Sequence, residues 1–587
     1  MTPESRFDDP RTVASVHRVA ISVMLVLGAI DTAYFRTWNV NPDGVSYINL
    51  AQAFAAHGPA ALINGYWSLL YPGLLGTVIA AVRPDNESLF SVMRAVGFGV
   101  FAATTLAFAH LLRVVFDHGD FKQVPRQRLC VVIVAWLAYA VFVLKAIGLF
   151  LVTPDMGVAG IVFCASAELI SITREPIPTR RWARFGAVLA ISYWWKAILL
   201  PVAGVLLAIA GLVAARRRDN RRGPASAMIA FAVLALVVIV PVSQLAGRIT
   251  FGESARLNQL WYVAGAPWIY EACGTTPNAG RPAMRPAPTI ATTPLTCSMP
   301  DQWPESALPM WYDPSWWYRD TQTPVNIAAT WTAVLRDVGY LREALGEAAP
   351  WLSAGLMIVL VAAIATRTTA AQTWPLYVTG AAAIMLYLVV YVELRHVVPF
   401  IMIAAVACLA GLAVRPARWA SISLATLAVC GAVDVYEQLG EPLLVSMSIL
   451  RSEVRGDPHT VPTSALVALR LREHGMAEGA RFVTINALWN ADWAVRGGYT
   501  VRAYTPEYTV PFTQTYRELD GACARAAWAA RMTANHIDAA LMRVPDPFRA
   551  PGGFERLEGT EFYLLIPSKV VAPSTCAPTR SATRSSS

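Results

Sequence analysis

Residues 183–222 read ARFGAVLAISYWWKAILLPVAGVLLAIAGLVAARRRDNRR: two apolar runs with Lys196 between them, closed by five arginines at 216–218, 221 and 222. A bilayer core needs roughly 20 apolar residues per spanning helix. A single helix through 183–215 would bury Lys196 at mid-membrane and leave the arginines on the side opposite Arg180, Arg181 and Arg184. Two short helices meeting at Lys196 put both arginine groups on one side, as the excess of basic residues in cytoplasmic loops requires. This reading predicts helices over 183–195 and 197–215.

The same pattern extends both ways along the 587 residues. Hydrophobic residues make up 55% of the chain, charged residues only 15%, and the mean hydropathy is +0.44. A soluble domain carries about 25% charged residues. Further spans are expected at 16–36, 89–116, 129–150, 157–173, 226–246, 350–366, 374–392, 397–414 and 418–436, making about eleven. The net charge is +9, but the arginines stand in short loops between apolar runs. They orient the helices and do not mark a nucleic-acid partner. No cleavable signal peptide is read at the first apolar run, which carries Asp31 and lacks a small-residue cleavage site.

With this parity, a transmembrane module over 1–436 exposes outer loops at 37–88 and 247–349, and residues 437–572 form an extracytoplasmic domain. In the first loop, 45–56 suits an amphipathic helix on the membrane, and 69–82 a re-entrant or interfacial segment. The C-terminal domain reads as helices at 464–474 and 520–535, strands at 481–486 and 538–543, and a hairpin around Gly559: a small α/β unit. Residues 573–587, rich in Ser, Thr and Arg, are expected to be a disordered tail. The fold class is therefore a polytopic α-helical membrane protein with a small C-terminal α/β domain. Cys130, Cys164, Cys408 and Cys430 lie in apolar runs. Cys273 and Cys297, in the second outer loop, can pair if that side is oxidising, and so can Cys523 and Cys576; four free thiols is the alternative.

Ionisable residues at membrane spans are functional candidates because burying them is costly. Here Asp43, Asp155, Lys196, Glu393, Arg395 and His396 all fall at the outer edge. Each has an ordinary alternative. Asn41-Pro42-Asp43-Gly44 is a turn sequence, Thr153-Pro154-Asp155 an N-cap, and Lys196 beside Trp194 and Trp195 a snorkelling lysine. Glu393 and Arg395 form a pair. Their coincidence on one face is what points to a site. Asp31 and Lys145 read as structurally paired, and Asp434 as interfacial.

These residues resemble the motifs of the GT-C superfamily of membrane glycosyltransferases, which includes protein O-mannosyltransferases and the aminoarabinose transferases that modify lipid A. Asp43-Gly44-Val45-Ser46-Tyr47-Ile48-Asn49-Leu50-Ala51, with Gly65-Tyr66-Trp67-Ser68-Leu69-Leu70-Tyr71-Pro72, resembles the first outer loop of that family. Thr153-Pro154-Asp155 resembles the Pro-Asp of its second. Tyr193-Trp194-Trp195-Lys196 and Glu393-Leu394-Arg395-His396-Val397-Val398-Pro399 resemble its later elements. The Asp-Glu pair common among mannosyltransferases is absent, since Gly44 follows Asp43.

The resemblance implies a GT-C-like fold and an inverting transfer of a hexosyl or pentosyl group from a polyprenyl-phosphate donor to an acceptor hydroxyl of a lipid, polysaccharide or protein. Asp43 is then the general base and Asp155 positions sugar or acceptor. Lys196, Arg395 and His396 hold the donor phosphate, with Glu393, Tyr47, Tyr66, Trp67 and Tyr71 in support. No cofactor is required; Asp43 with Asp155 could hold a divalent metal. The aromatic stretch 311–318 stacks on sugar or anchors the chain at the interface. The expected location is a prokaryotic inner membrane, with the site outside. A lipid-linked sugar flippase or other transporter is the rival, although the two related halves common in transporters are not seen.

Overall fold

The computed structural model describes residues 10–36, 38–117, 125–266, 287–300, 303–304, 312–319, 321–323, 326–365, 373–413, 417–455, 462–488, 491–506, 512–545 and 548–576. Each expected span coincides with a helix: Pro10–Phe35, Leu89–Phe116, Pro125–Val141, Asp155–Arg174, Thr179–Trp195, Leu199–Arg216, Arg222–Ala246, Pro350–Ala365, Trp374–Leu388, Leu394–Ala413 and Ala417–Val435. Eight helical stretches among the described residues are long and apolar enough to cross a membrane. Pro125–Val141 runs on through a π-helical turn to Ile147, whereas Thr179–Trp195, Pro350–Ala365 and Trp374–Leu388 stay short, at 17, 16 and 15 residues. At about 1.5 Å per residue they fall short of a ~30 Å core. The chain breaks at Lys196, whose backbone is extended (φ −154°, ψ 128°) between the two helices predicted on either side of it.

Lipid solvation explains what these helices show outside. On Arg222–Ala246, Met228, Ile229, Val233, Leu236, Val237 and Val240 are exposed, a waste of apolar area in water but not in a bilayer. Inside, Phe101, Phe108, Tyr139, Phe163 and Leu169 are fully buried in a core shared by most of the bundle. Asp434 is paired inside the bundle: the Trp351 and Leu352 amides donate to it. Asp434 thus caps the Pro350–Ala365 helix and is buried against it.

The arginine-rich ends lie opposite the candidate residues on the same helices. Asp155–Arg174 starts at Asp155 and ends at Arg174; Leu199–Arg216 starts just after Lys196 and ends in arginines.

The layer at the candidate-residue end of the bundle is more integrated than expected. Helix Pro42–His57 does not lie free on a membrane surface. Ile48, Leu50 and Ala51 are buried in a core that continues through Phe90 and Met93, takes in Leu257 and Trp317, and ends in Phe482, Trp493 and Tyr499. The last span runs on through a π-helical turn into Glu441–Val454, past the boundary expected at 437. The domain sheet begins with two strands from the second outer loop. Its order is β1-β2-β4-β3-β5-β7-β6, with β1 Thr289–Thr292, β2 Leu295–Ser298, β3 Arg481–Ile485, β4 Thr500–Tyr504, β5 Ala539–Arg543, β6 Glu555–Arg556 and β7 Phe562–Leu565. The centre, β4-β3-β5, is parallel; β2 joins β4 antiparallel with Cys297 opposite Tyr504. A disulfide from Cys523 to Cys576 ties down the chain four residues beyond the boundary drawn at 572; 577–587 lie outside the described residues. So does Cys273, while Cys297 is buried and disulfide-bonded.

Candidate active site

Asp43 is held at the first turn of Pro42–His57, where Pro42 sits in a helix-starting position. Asp155 begins its own helix after Pro154. Lys196 occupies the break between two helices, and Glu393 to His396 enter the Leu394–Ala413 helix. Four separate stretches thus meet at one membrane edge, around a cavity of about 1250 Å³.

Arg395 is the hub. Its guanidinium donates to Glu393 at 2.5 Å and to Asp43 Oδ2 at 3.1 Å, and lies 3.7 Å from Asp155 Oδ2. Lys196 Nζ donates to Asp155 Oδ1 at 2.5 Å. Asp155 is 3% exposed, so its two oxygens serve the two cations. Asp43 differs: about a third of its side chain (34%) opens to the cavity. Desolvation by its surroundings pushes its carboxyl above the ordinary carboxylate range, with Arg395 opposing and Glu393 reinforcing the shift. Burial also pushes Glu393 up, but the Arg395 guanidinium and the hydroxyl of Tyr391 outweigh it and hold Glu393 low. The imidazole of His396 stacks on Tyr387 at 5.4 Å, and its Nδ1 is buried without a hydrogen-bond partner.

The expected aromatic residues divide by position. Tyr47, Tyr66 and Trp67 line the cavity, and Tyr66 donates to Asn258 at 3.1 Å. Tyr71 does not line it. It stands behind, edge-on to Tyr47 at 5.2 Å and tilted against Trp195 at 5.8 Å. Trp195 donates to the Pro154 carbonyl at 2.7 Å, linking the Lys196 break to the Asp155 turn. This depends on Gly157, where a Cβ would meet the Trp195 ring at 2.1 Å. Gly157→Ala is therefore expected to cost about 1–3 kcal/mol of stability through overpacking, read as a lowered melting temperature; an unchanged melt would show that the ring has slack. Gly44 is equally constrained. A Cβ there would meet Val40 at 2.5 Å, Asn41 Oδ1 at 2.8 Å and Val152 at 3.1 Å, leaving no room for a second acidic side chain after Asp43.

Residues 312–318 are neither a sugar platform nor a membrane anchor. Trp317 and Tyr318 are fully buried in the outer core, and none of the described residues 312–318 lines the large cavity; Trp311 lies outside the described residues. What sequence reasoning missed is the far wall. Tyr262 stacks on Tyr391 at 3.9 Å, and Tyr391 donates to Glu393 at 2.6 Å. Tyr391 stands two residues before Glu393, the one local signal available. Among the described residues no three His, Cys, Asp or Glu side chains form a metal-binding group.

The fold is that of a polytopic helical membrane protein, with acidic and basic side chains gathered in a cleft at one end of the bundle. The particular fold is that of ArnT, an aminoarabinose transferase. The apo crystal structure of ArnT from Cupriavidus metallidurans is 13% identical and aligns over 97% of this chain and 100% of its own, with a TM-score of 0.54. The structure of the same protein bound to undecaprenyl phosphate is 12% identical over 95% of this chain and 98% of its own, with a TM-score of 0.51. No protein-family model and no curated protein matches the chain.

Proposed function

We propose that the protein is an inverting glycosyltransferase that moves a sugar from a polyprenyl phosphate to an acceptor hydroxyl at the extracytoplasmic face. One observation carries this reading: a partly exposed carboxylate, Asp43, stands against Arg395 and the Asp155–Lys196 pair in a single cavity. The solved structure of like fold with undecaprenyl phosphate bound agrees with the donor class.

In this scheme the acceptor oxygen attacks the anomeric carbon as the bond from that carbon to the phosphate oxygen breaks. Asp43 takes the hydroxyl proton, and its raised pKa suits a base that must hold it. The phosphate leaves as an anion beside Lys196 and Arg395, whose fixed charges stabilise it as it forms. His396 lines the same wall beside them. A single displacement inverts the anomeric centre. Asp155 holds the two cations side by side against their mutual repulsion and, from the cavity lining, positions sugar or acceptor. The positive charge comes from side chains, so a divalent ion has no step to perform; loss of activity on chelation would refute this.

The outward placement is supported by the arginine ends lying opposite the cavity and by the Cys523–Cys576 disulfide, which suits an oxidising compartment. A cysteine at Phe150, exposed near Asp155, is expected to react with an impermeant thiol reagent added outside whole cells. Labelling from the inside alone would invert the topology. The reaction itself is tested with purified protein and a polyprenyl-phosphate sugar: polyprenyl phosphate is released. Sugar crossing a liposome with its donor bond intact would make the protein a transporter.

A further inference from the structure

Arg94 sits six residues into the Leu89–Phe116 helix and is 2% exposed. Removing a guanidinium from water costs several kcal/mol unless its protons are used. Its two terminal nitrogens diverge. One donates to the Asn39 carbonyl at 3.1 Å, the other to the Leu149 carbonyl at 3.3 Å. Asn39 lies four residues before Asp43, and Leu149 six before Asp155. The two acceptors belong to loops more than a hundred residues apart in sequence. Asp31 faces Arg94 and takes a hydrogen bond from the Leu149 backbone. A second strap runs parallel: the Val152 amide donates to Asn41 Oδ1 at 3.3 Å.

We propose that Arg94 is a positioning residue for the transfer reaction: one buried guanidinium staples the Asp43 loop to the Asp155 loop and so sets the distance between the base and the cation-holding carboxylate. The inference rests on the proposed glycosyl transfer. Arg94 does not line the cavity, so it acts through the two loops and not on substrate. Arginine suits the task because its rigid fork presents two donors to two carbonyls at once; a lysine ammonium keeps the charge toward Asp31 but cannot span them in the same geometry.

The test uses the full-length protein in lipid nanodiscs and compares wild type, Arg94→Lys and Asp43→Asn. Misplacing a reacting group by about 1 Å can cost on the order of 100-fold. Arg94→Lys is expected to lower kcat by roughly 10- to 100-fold, with KM for the polyprenyl-phosphate sugar within about twofold, because the phosphate-binding cations are untouched. Hydrogen–deuterium exchange gives a readout independent of activity. In Arg94→Lys, exchange rises in both 38–44 and 148–154 while the rest of the bundle is unchanged. Asn41→Ala removes the parallel strap without touching a buried charge and is expected to give the same pattern more weakly. It serves if Arg94→Lys does not fold. A wild-type kcat in the variants, or exchange unaltered in either loop, overturns the staple. Full activity in Asp43→Asn removes Asp43 from the base role. A wild-type protein that leaves the donor bond intact and releases no polyprenyl phosphate instead overturns the glycosyl-transfer reading, and the exchange data then still decide whether Arg94 couples the loops.

Discussion

Asp43→Asn is expected to leave the protein folded and able to hold its donor, yet slow transfer about 1000-fold. Asparagine keeps the shape and can still accept the hydrogen bond that Arg395 donates to Asp43 Oδ2. It cannot take a proton. General-base catalysis contributes typically 100- to 10,000-fold, and here the competing base is water in an aromatic-walled cavity. Donor affinity is expected to hold or tighten slightly, since losing the Asp43 charge frees Arg395 for the phosphate. Single-turnover release of polyprenyl phosphate measures the rate, and displacement of a labelled polyprenyl phosphate measures affinity. Transfer within threefold of wild type would remove Asp43 from the base role.

Arg395→Gln is expected to fail differently, losing binding and stability together. Three carboxylates, Asp43, Asp155 and Glu393, gather around this guanidinium. Without it only Lys196 remains to pair with Asp155. Breaking a buried pair by removing one partner costs about 3–5 kcal/mol, visible as a clear fall in melting temperature. Charge-assisted hydrogen bonds are worth about 1.5–3 kcal/mol, so donor affinity is expected to fall by roughly 10- to 100-fold. The pH dependence carries a sign. Arg395 favours the charged form of Asp43 and opposes the upward push of desolvation. Removing it raises the Asp43 pKa further, so the acid limb of the residual activity moves to higher pH. Unchanged donor affinity would take Arg395 out of the phosphate site; an acid limb that stays put would separate it from Asp43.

Much of this was legible because hydropathy and charge act locally. Lipid demands apolar runs wherever helices cross, and every expected run is a helix. Lys196 revealed the helix break since a mid-membrane ammonium is so unfavourable. The strands of 481–485 and 539–543 announced themselves by their own residues. The misses are non-local. Residues 289–298 are dominated by threonine and proline in the surrounding loop, and only their partner β4, two hundred residues on, makes them strands. Tyr312, Trp317 and Tyr318 suggest a membrane interface by type, yet Trp303 and Trp261 pack around them and bury them. Arg94 was hidden differently. An arginine in an apolar run signals a function, but nothing near it in sequence names Asn39 and Leu149 as its partners.

The soluble domain also grips the loop that leads to Asp43. Arg496 donates to the Trp38 carbonyl at 2.9 Å, Ser464 to Asn39 Oδ1 at 2.7 Å, and the Val40 amide reaches Asp492 at 3.4 Å. The consequence is one of timing during synthesis. A ribosome has made more than four-fifths of the chain before Arg496 exists, so Asp43, the earliest of the cavity's acidic side chains to be inserted, waits for one of the last segments to be translated. A nascent or truncated protein would carry every cavity residue and still lack the clasp on the loop that leads to Asp43.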